Sequence, residues 1–262
     1  MTLKLYNFPQ STCSQKVRLV LWEKDLKFLD RQLDPAKREQ LSDWYLELNP
    51  NGVVPTLMHD NAIIIDSSVI IEYLDEVFPE TLLSPPDAIG RAQMRQWLRY
   101  FEEVATAAIR VPSFNKYLSK RFDQLSQEEF DAFAENHPIR KQFYKKMRKG
   151  EGFDQRETES ATERLRQTVK RMEKGLSTSD GPWLMGEMLT LADYCIAPTL
   201  DRMRDLKLDD IWQDCTRVAA WFDRIQQRPA YIKTFYKRTR LSEIYDGASF
   251  GSDKNLATVV NE

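Results

Sequence analysis

The apolar positions of the first 78 residues change period several times. Residues 3–8 (Leu3-Lys4-Leu5-Tyr6-Asn7-Phe8) alternate as a strand does. Residues 15–24 predict a helix with Val17, Val20 and Leu21 on one face. Residues 28–33 predict extended chain. Residues 40–48 predict a short helix, ended by Asn49-Pro50-Asn51-Gly52. Thr56-Leu57-Met58 and Ala62-Ile63-Ile64-Ile65, split by Asp60-Asn61, read as a hairpin. Residues 67–78 read as a helix with Ile70, Leu74 and Val77 inward. The order βαβ, α, ββ, α predicts a small mixed sheet with helices packed on it.

After a proline-rich linker at 79–86, nearly everything is helical. Residues 91–109 and 158–176 are long amphipathic stretches; in the second, Leu165, Val169, Met172 and Leu176 recur at helical spacing. Thr190-Leu191-Ala192-Asp193 fits a capping box with Asp in place of Glu. Residues 218–225 form a further helix, stopped by Arg228-Pro229. The pattern divides the chain into an α/β domain at 1–80, an all-helical domain at 88–245 and a polar, frayed tail at 246–262. Arg140, Lys141, Lys145, Lys146, Arg148 and Lys149 crowd one short stretch, with Phe143, Tyr144 and Met147 between them. Glu128, Glu129 and Glu135 precede it, so it reads as the solvated face of a helix rather than an anion-binding patch.

Composition narrows the function classes. At 262 residues, 42% hydrophobic, the chain can bury a sizeable core. A net charge of −2 gives no general attraction to nucleic acid or acidic lipid. No apolar run reaches membrane-spanning length, and the strand-like opening is too short for a secretory signal core, so a cytoplasmic protein is expected. Cys13, Cys195 and Cys215 form no metal-ligand spacing with His59 or His137. Cys195 and Cys215 are expected to be small core residues. Neither histidine has a catalytic partner nearby in sequence.

Two short words carry the candidate chemistry. In Gly52-Val53-Val54-Pro55, a proline after an extended pair is a candidate cis-proline that turns a backbone edge toward a ligand. An extended peptide can then pair with Val54 as an extra strand. Asp66-Ser67 opens an apolar helix, where free N–H groups and the helix dipole attract a carboxylate. Together they suit a peptide bearing two carboxylates. Upstream, Ser11-Thr12-Cys13-Ser14 offers hydroxyls at a helix start. Thr12 to Gln15 fits a capping box with Thr12 as N-cap, which leaves Ser11 and Ser14 free.

Ser-Thr-Cys-Ser-Gln-Lys-Val-Arg, Asn-Pro-Asn-Gly-Val-Val-Pro, Asp-Ser-Ser-Val-Ile-Ile-Glu-Tyr-Leu, the Thr-Leu-Ala-Asp cap and the run from Trp221 to Ala230 resemble a glutathione transferase. The resemblance extends to about residue 240. It implies a thioredoxin-like N-terminal domain, an all-helical C-terminal domain, reduced glutathione as co-substrate and a two-fold dimer, either of identical chains or with a related one. The helices from Ser67 and Arg91 would face the partner. Ser11 to Ser14 looks like the zeta-class loop of maleylacetoacetate isomerases. The opening strand, the segments 34–37 and 42–44, and a long insertion at about 118–155 look like the bacterial lignin β-etherases, which implies a small aromatic ether substrate.

On that resemblance Val54, Pro55, Asp66 and Ser67 bind glutathione, with Gln40 near its glycine carboxylate. Ser14 is the expected main thiolate donor and Ser11 the second; the zeta-type reading puts Ser11 first. Direct chemistry at Cys13 is the third reading. Val53 stands where relatives carry a Gln or Lys that helps hold glutathione, so that contact is lost or replaced. Asp66 replaces a common Glu or Gln and has shorter reach. A thiol with a pKa near 8.5 is roughly 3% ionised at neutral pH. Lowering that value by about two pH units takes about 2.7 kcal/mol of preference for the thiolate. One hydrogen bond to a charged group and a helix N-terminus are of that size. A phenolate leaving group, with a pKa near 10, then needs little acid help. The rival activities are glutathione-dependent isomerisation, general glutathione transfer and a non-catalytic interaction module.

Overall fold

A computed structural model describes residues 2–247. Most of the tail expected at 246–262 therefore lies outside the described residues. Strands β1 (Leu3–Asn7), β2 (Leu29–Gln32), β3 (Thr56–His59) and β4 (Ala62–Ile65) form one sheet in the order β2-β1-β3-β4. β1 and β2 are parallel, joined across helix α1 (Thr12–Glu23); the other two pairings are antiparallel. Asp60 takes a left-handed conformation (φ 50°) in the tight β3–β4 turn, as the Asp-Asn pair predicts. Residues 40–48 split into a 3-10 turn at Glu39–Leu41 and helix α2 (Asp43–Leu48). Helix α3 (Ser67–Val77) follows, with Ile70 and Leu74 buried against Val17, Val20 and Leu21 of α1 and Leu5 and Leu57 of the sheet.

The expected helix at 91–109 is longer and is not uniform. Helix α4 (Ala88–Tyr100) passes through one π-helical turn at Phe101–Ala105 into α5 (Thr106–Lys116). A π turn inserts an extra residue and rotates the side chains that follow it, and such turns favour functional positions. The insertion contributes α6 (Gln127–Asn136) and α7 (Lys141–Lys146). It has its own aromatic core: Phe133 and Tyr144 rings lie 4.8 Å apart, Phe143 and Phe153 4.8 Å, and Phe143 reaches Phe114 of α5 at 5.0 Å. Four of the six residues of its basic run are paired locally. Lys141 and Lys145 share Glu135, Lys146 pairs with Glu157 at 3.2 Å and Arg148 with Glu151 at 3.4 Å.

Helix α8 (Gln155–Ser179), the central α9 (Leu191–Asp205), α10 (Thr216–Gln226), α11 (Pro229–Thr234) and α12 (Leu241–Tyr245) complete the helical part. The predicted box at 190–193 is present. The Asp193 carboxylate accepts from the Thr190 N–H (2.9 Å), the Leu184 N–H (3.0 Å) and the Trp221 indole (2.8 Å). The Thr190 hydroxyl adds a fourth donor at 3.1 Å, and these bonds oppose the burial that pushes the Asp193 pKa upward. Helix α1 packs on α3 on one side and on α9 and α11 on the other, and the apolar core runs without a break from the sheet into the helical part. The start of α1 is thus held by both halves of the molecule. Cys195 is buried as expected. Cys215 is partly exposed, a departure that follows from its place just before α10, at the surface.

Candidate active site

The peptide bond before Pro55 is cis. Upstream, the Tyr45 hydroxyl and the Asn49 amide both donate to the Val53 carbonyl, each at 2.8 Å, and fix the turn. Burial pushes the Tyr45 phenol up to about 12, so it remains a donor throughout the neutral range. The Val54 N–H and carbonyl make no hydrogen bond among the described residues. An unpaired main-chain donor and acceptor side by side form the edge that an added peptide strand needs. Gly52 (φ +61°) lets this loop approach its neighbours. A Cβ there would come 2.7 Å from Leu41 Cδ2 and 3.4 Å from Pro138 Cδ.

Asp66 caps α3 from a left-handed position (φ 70°). The Ser68 and Val69 N–H groups both donate to its Oδ1, at 2.9 and 3.2 Å. Oδ2 has no partner among the described residues, and the residue is exposed. The cap thus uses one carboxylate oxygen of Asp66 and leaves the other open. Ser67 is buried and its hydroxyl oxygen accepts from Lys16 Nζ at 3.1 Å, which leaves the Ser67 proton free to donate to a carboxylate. Gln40, in the 3-10 turn, has a buried Oε1 with no partner among the described residues.

At the start of α1 the N-cap is Ser11 and not Thr12. The Ser14 N–H donates to Ser11 Oγ at 3.3 Å, and Thr12 is the first helical residue. Ser11 thus has the capping role expected of its neighbour. It stays partly exposed, and its hydroxyl proton is not used by the cap. Ser14 is fully buried, and its Oγ has neither solvent nor a partner among the described residues. The structure brings Ser11, Ser14 and Cys13 together on one turn, but it gives Ser11 the better access.

Three charged residues went unnoticed in the sequence. Lys16, fully buried on α1, pairs with Glu102 of the π turn and donates to Ser67. Cys195 of α9 points its thiol at the same carboxylate, 3.6 Å away. Burial opposes the Lys16 charge, but the neighbouring Cys195, Glu102 and Cys13 hold its pKa above the ordinary lysine range. Burial itself pushes the Cys195 thiol up to about 12, so that thiol is neutral at pH 7 and Glu102 is the anion that matters. Burial raises Glu102 and Lys16 lowers it more strongly, leaving it below the usual carboxylate range. The third residue is Arg110 of α5, whose burial lowers its pKa while the charges of Cys13 and Glu102 oppose that shift. A lysine four residues before Val20, on the apolar face of α1, was the legible signal for a buried ion pair.

The last described segment closes over this loop. The Gln10 amide donates to the Arg238 carbonyl at 2.7 Å, and the Gln15 amide to the carbonyls of Pro9 (2.9 Å) and Thr239 (3.0 Å). Arg202 of α9 donates to the Gln10 carbonyl at 2.6 Å. The histidines stand apart from this chemistry. His59 Nδ1 meets the Tyr73 hydroxyl at 2.7 Å, and His137 Nδ1 accepts from the Arg140 N–H at 3.3 Å.

A four-stranded sheet with a cis-proline turn, a side-chain-capped helix beside it and an all-helical second half define a thioredoxin-like domain joined to a helical domain. The glutathione S-transferase N-terminal domain model matches residues 5–82, and the C-terminal domain model matches residues 133–239. The chain is 37% identical over 247 residues to Protein LigF of Sphingobium sp., covering 92% of this chain and 95% of LigF. It is 32% identical over 198 residues to glutathione S-transferase 1 of Dianthus caryophyllus, covering 76% of each. The crystal structure of β-etherase LigF from Sphingobium superposes with a TM-score of 0.81 at 32% identity, over 90% of this chain and 99% of that one. The chain belongs to the glutathione S-transferase family. It is an enzyme of that family, and glutathione is its co-substrate.

Proposed function

We propose that the enzyme is a glutathione-dependent β-etherase that cleaves lignin-derived β-aryl ethers. The similarity to the LigF etherase over nearly the full length supports the reaction class. The unpaired main-chain groups of Val54 are the single observation that carries the thiol site. Glutathione pairs with Val54 beside Pro55, its γ-glutamyl end meets Asp66 and Ser67, and Gln40 reaches its glycine carboxylate. Ser11 donates to the thiolate and Ser14 supports it, which reverses the order expected from sequence because the Ser14 oxygen is enclosed. The helix start and its dipole add to the preference for the thiolate. The thiolate attacks the carbon that bears the aryl ether, the S–C bond forms as the C–O bond breaks, and the electron pair leaves on a phenolate.

The test is to supply a β-aryl ether ketone and follow phenol release with glutathione consumption. The etherase consumes one thiol per phenol. Zeta-like isomerisation, which the Ser11-Thr12-Cys13-Ser14 loop favours, consumes none. Rapid isomerisation of maleylacetoacetate with no phenol from either ether enantiomer overturns the proposal. We also assign a two-fold dimer across α3 and α4, where Val69 (46%) and Ile89 (72%) remain exposed. Light scattering that finds only the 30.8 kDa monomer overturns that assignment. The reaction belongs in the cytoplasm, where thiols stay reduced and three unpaired cysteines are expected. No helix among the described residues is long and apolar enough to cross a membrane.

A further inference from the structure

The insertion reaches back to the sheet domain at one end of the thiol site. Thr56 pairs with Ile65, so Asp66 and Ser67 stand beyond Pro55, and Gly52 stands on the other side of Val54. A tripeptide that pairs antiparallel with Val54 and sets its γ-glutamyl end at Asp66 therefore points its glycine toward Gly52. Two elements meet there. Leu41 of the 3-10 turn and Pro138 of the insertion both lie against Gly52. One turn before Leu41, whose N–H donates to the Arg38 carbonyl at 2.8 Å, the Arg38 guanidinium lies over the Phe133 ring of α6, 4.9 Å from its centroid. Arg38 and Leu41 on one side, and Phe133 and Pro138 on the other, thus form a clasp around the glycine end.

Within that clasp Arg38 is a cation without an anion. Its guanidinium forms no ion pair or hydrogen bond among the described residues. The acidic groups beside it in the chain are engaged elsewhere: Glu39 holds Arg31 and the Asp34 N–H, and Asp34 faces Lys37 at 3.8 Å. Stacking on an aromatic face uses the plane of a guanidinium and leaves its N–H fork free. We infer that the insertion completes the glutathione site: Phe133 positions Arg38, and Arg38 binds the glycine carboxylate. The inference rests on the pairing of glutathione with Val54. The Val53 side chain beside that edge has no donor to offer, and a guanidinium fork matches a carboxylate in two parallel bonds. A stacked arginine is already oriented before the ligand arrives, so less freedom is lost on binding. Arg38 is then a specificity-determining residue that favours glutathione over thiol peptides ending in a neutral group.

The experiment removes the charge from either side. Calorimetric titrations compare reduced glutathione with its C-terminal amide, which differs only at the glycine carboxylate. The wild type is expected to bind glutathione roughly tenfold more tightly than the amide. Arg38→Met should abolish that preference by weakening glutathione alone, and Arg38→Lys should restore part of it. Phe133→Leu should reduce the preference, whereas Phe133→Tyr, which keeps the ring, should preserve it. A purely structural role would weaken both ligands alike.

A preference that survives Arg38→Met, or equal losses for the two ligands, overturns the inference. So does a preference that Gln40→Ala abolishes and Arg38→Met does not, which assigns the carboxylate to Gln40. A preference unmoved by Phe133→Leu takes the insertion out of the site. Asp66→Asn separates this result from the reading beneath it, because it should weaken both ligands alike and leave their ratio intact. If Asp66→Asn changes neither affinity while Arg38→Met abolishes the preference, the placement along Val54 fails and the Arg38 contact stands. Binding of neither ligand to the wild type refutes both.

Discussion

Replacing Lys16 by Met tests the ion pair that joins the two halves of the site. The substitution keeps volume and removes the cation that touches Glu102 and Ser67. Breaking one side of a buried pair costs about 3–5 kcal/mol, because the other charge is left without compensation. The Glu102 side chain retains 22% exposure, so water relieves part of this and the lower figure, about 3 kcal/mol, is expected. For a chain of this size that is a fall of about 6–12 °C in melting temperature. The second effect is on binding. Without Lys16 the Ser67 hydroxyl loses the donor that turns its proton outward, and glutathione should bind about tenfold more weakly, the size of one hydrogen bond to a charge. Urea denaturation gives the first quantity, and calorimetric titration at a temperature where the variant is folded gives the second. The control is Lys16→Met with Glu102→Leu, which removes the stranded carboxylate and should recover much of the stability. A loss below about 1 kcal/mol, or a double variant no better than the single, would refute the account.

Other substitutions separate capping from chemistry. Ser11→Ala should cost about 1 kcal/mol as a lost N-cap and raise the pKa of bound glutathione, read from thiolate absorbance against pH. Ser14→Ala should leave stability unchanged or slightly higher, because it removes a buried oxygen that has no partner; a clear destabilisation would show that the hydroxyl is bonded. Asp66→Asn keeps a good cap but loses the charge for the glutathione amine, so affinity should fall about tenfold with little change in melting temperature. Burial, with Arg140 beside it, pushes His137 down to about 4. The unfolded chain takes up that proton near pH 6.5 while the folded chain stays neutral, so this contribution to stability is lost as pH falls from about 6.5 to 4. His137→Gln should flatten that limb of the stability profile, and an equally steep limb would contradict the assignment.

The cis-proline turn and the start of α3 were legible because their parts are local. Val54 and Pro55 define their own edge, and Asp66 and Ser67 define a helix start, so short words suffice. The serine turn was read one residue off. Ser, Thr and Ser are all competent caps, and only the incoming chain direction from Pro9 and Gln10 decides that Ser11 takes the role. Glu102 and Arg110 were not legible. The Lys16–Glu102 pair joins residues 86 positions apart, and the π turn that aims Glu102 leaves no mark in the hydrophobic period. Phe114, Phe143 and Tyr144 pack on one another and on Phe133 and Phe153.

The bonds from Gln10 and Gln15 to the carbonyls of Arg238 and Thr239 bear on how the enzyme is made. Synthesis runs from the N-terminus, and the sheet domain emerges first and can begin to fold while the ribosome still holds the rest. Its serine turn, however, waits for partners more than 220 residues downstream. Contacts of such sequence separation form late. A nascent or prematurely terminated chain therefore exposes a thioredoxin-like domain whose glutathione turn is not yet fixed. The cell acquires the thiol chemistry only with the finished polypeptide, and a truncation short of residue 239 should yield a folded but catalytically silent fragment at best.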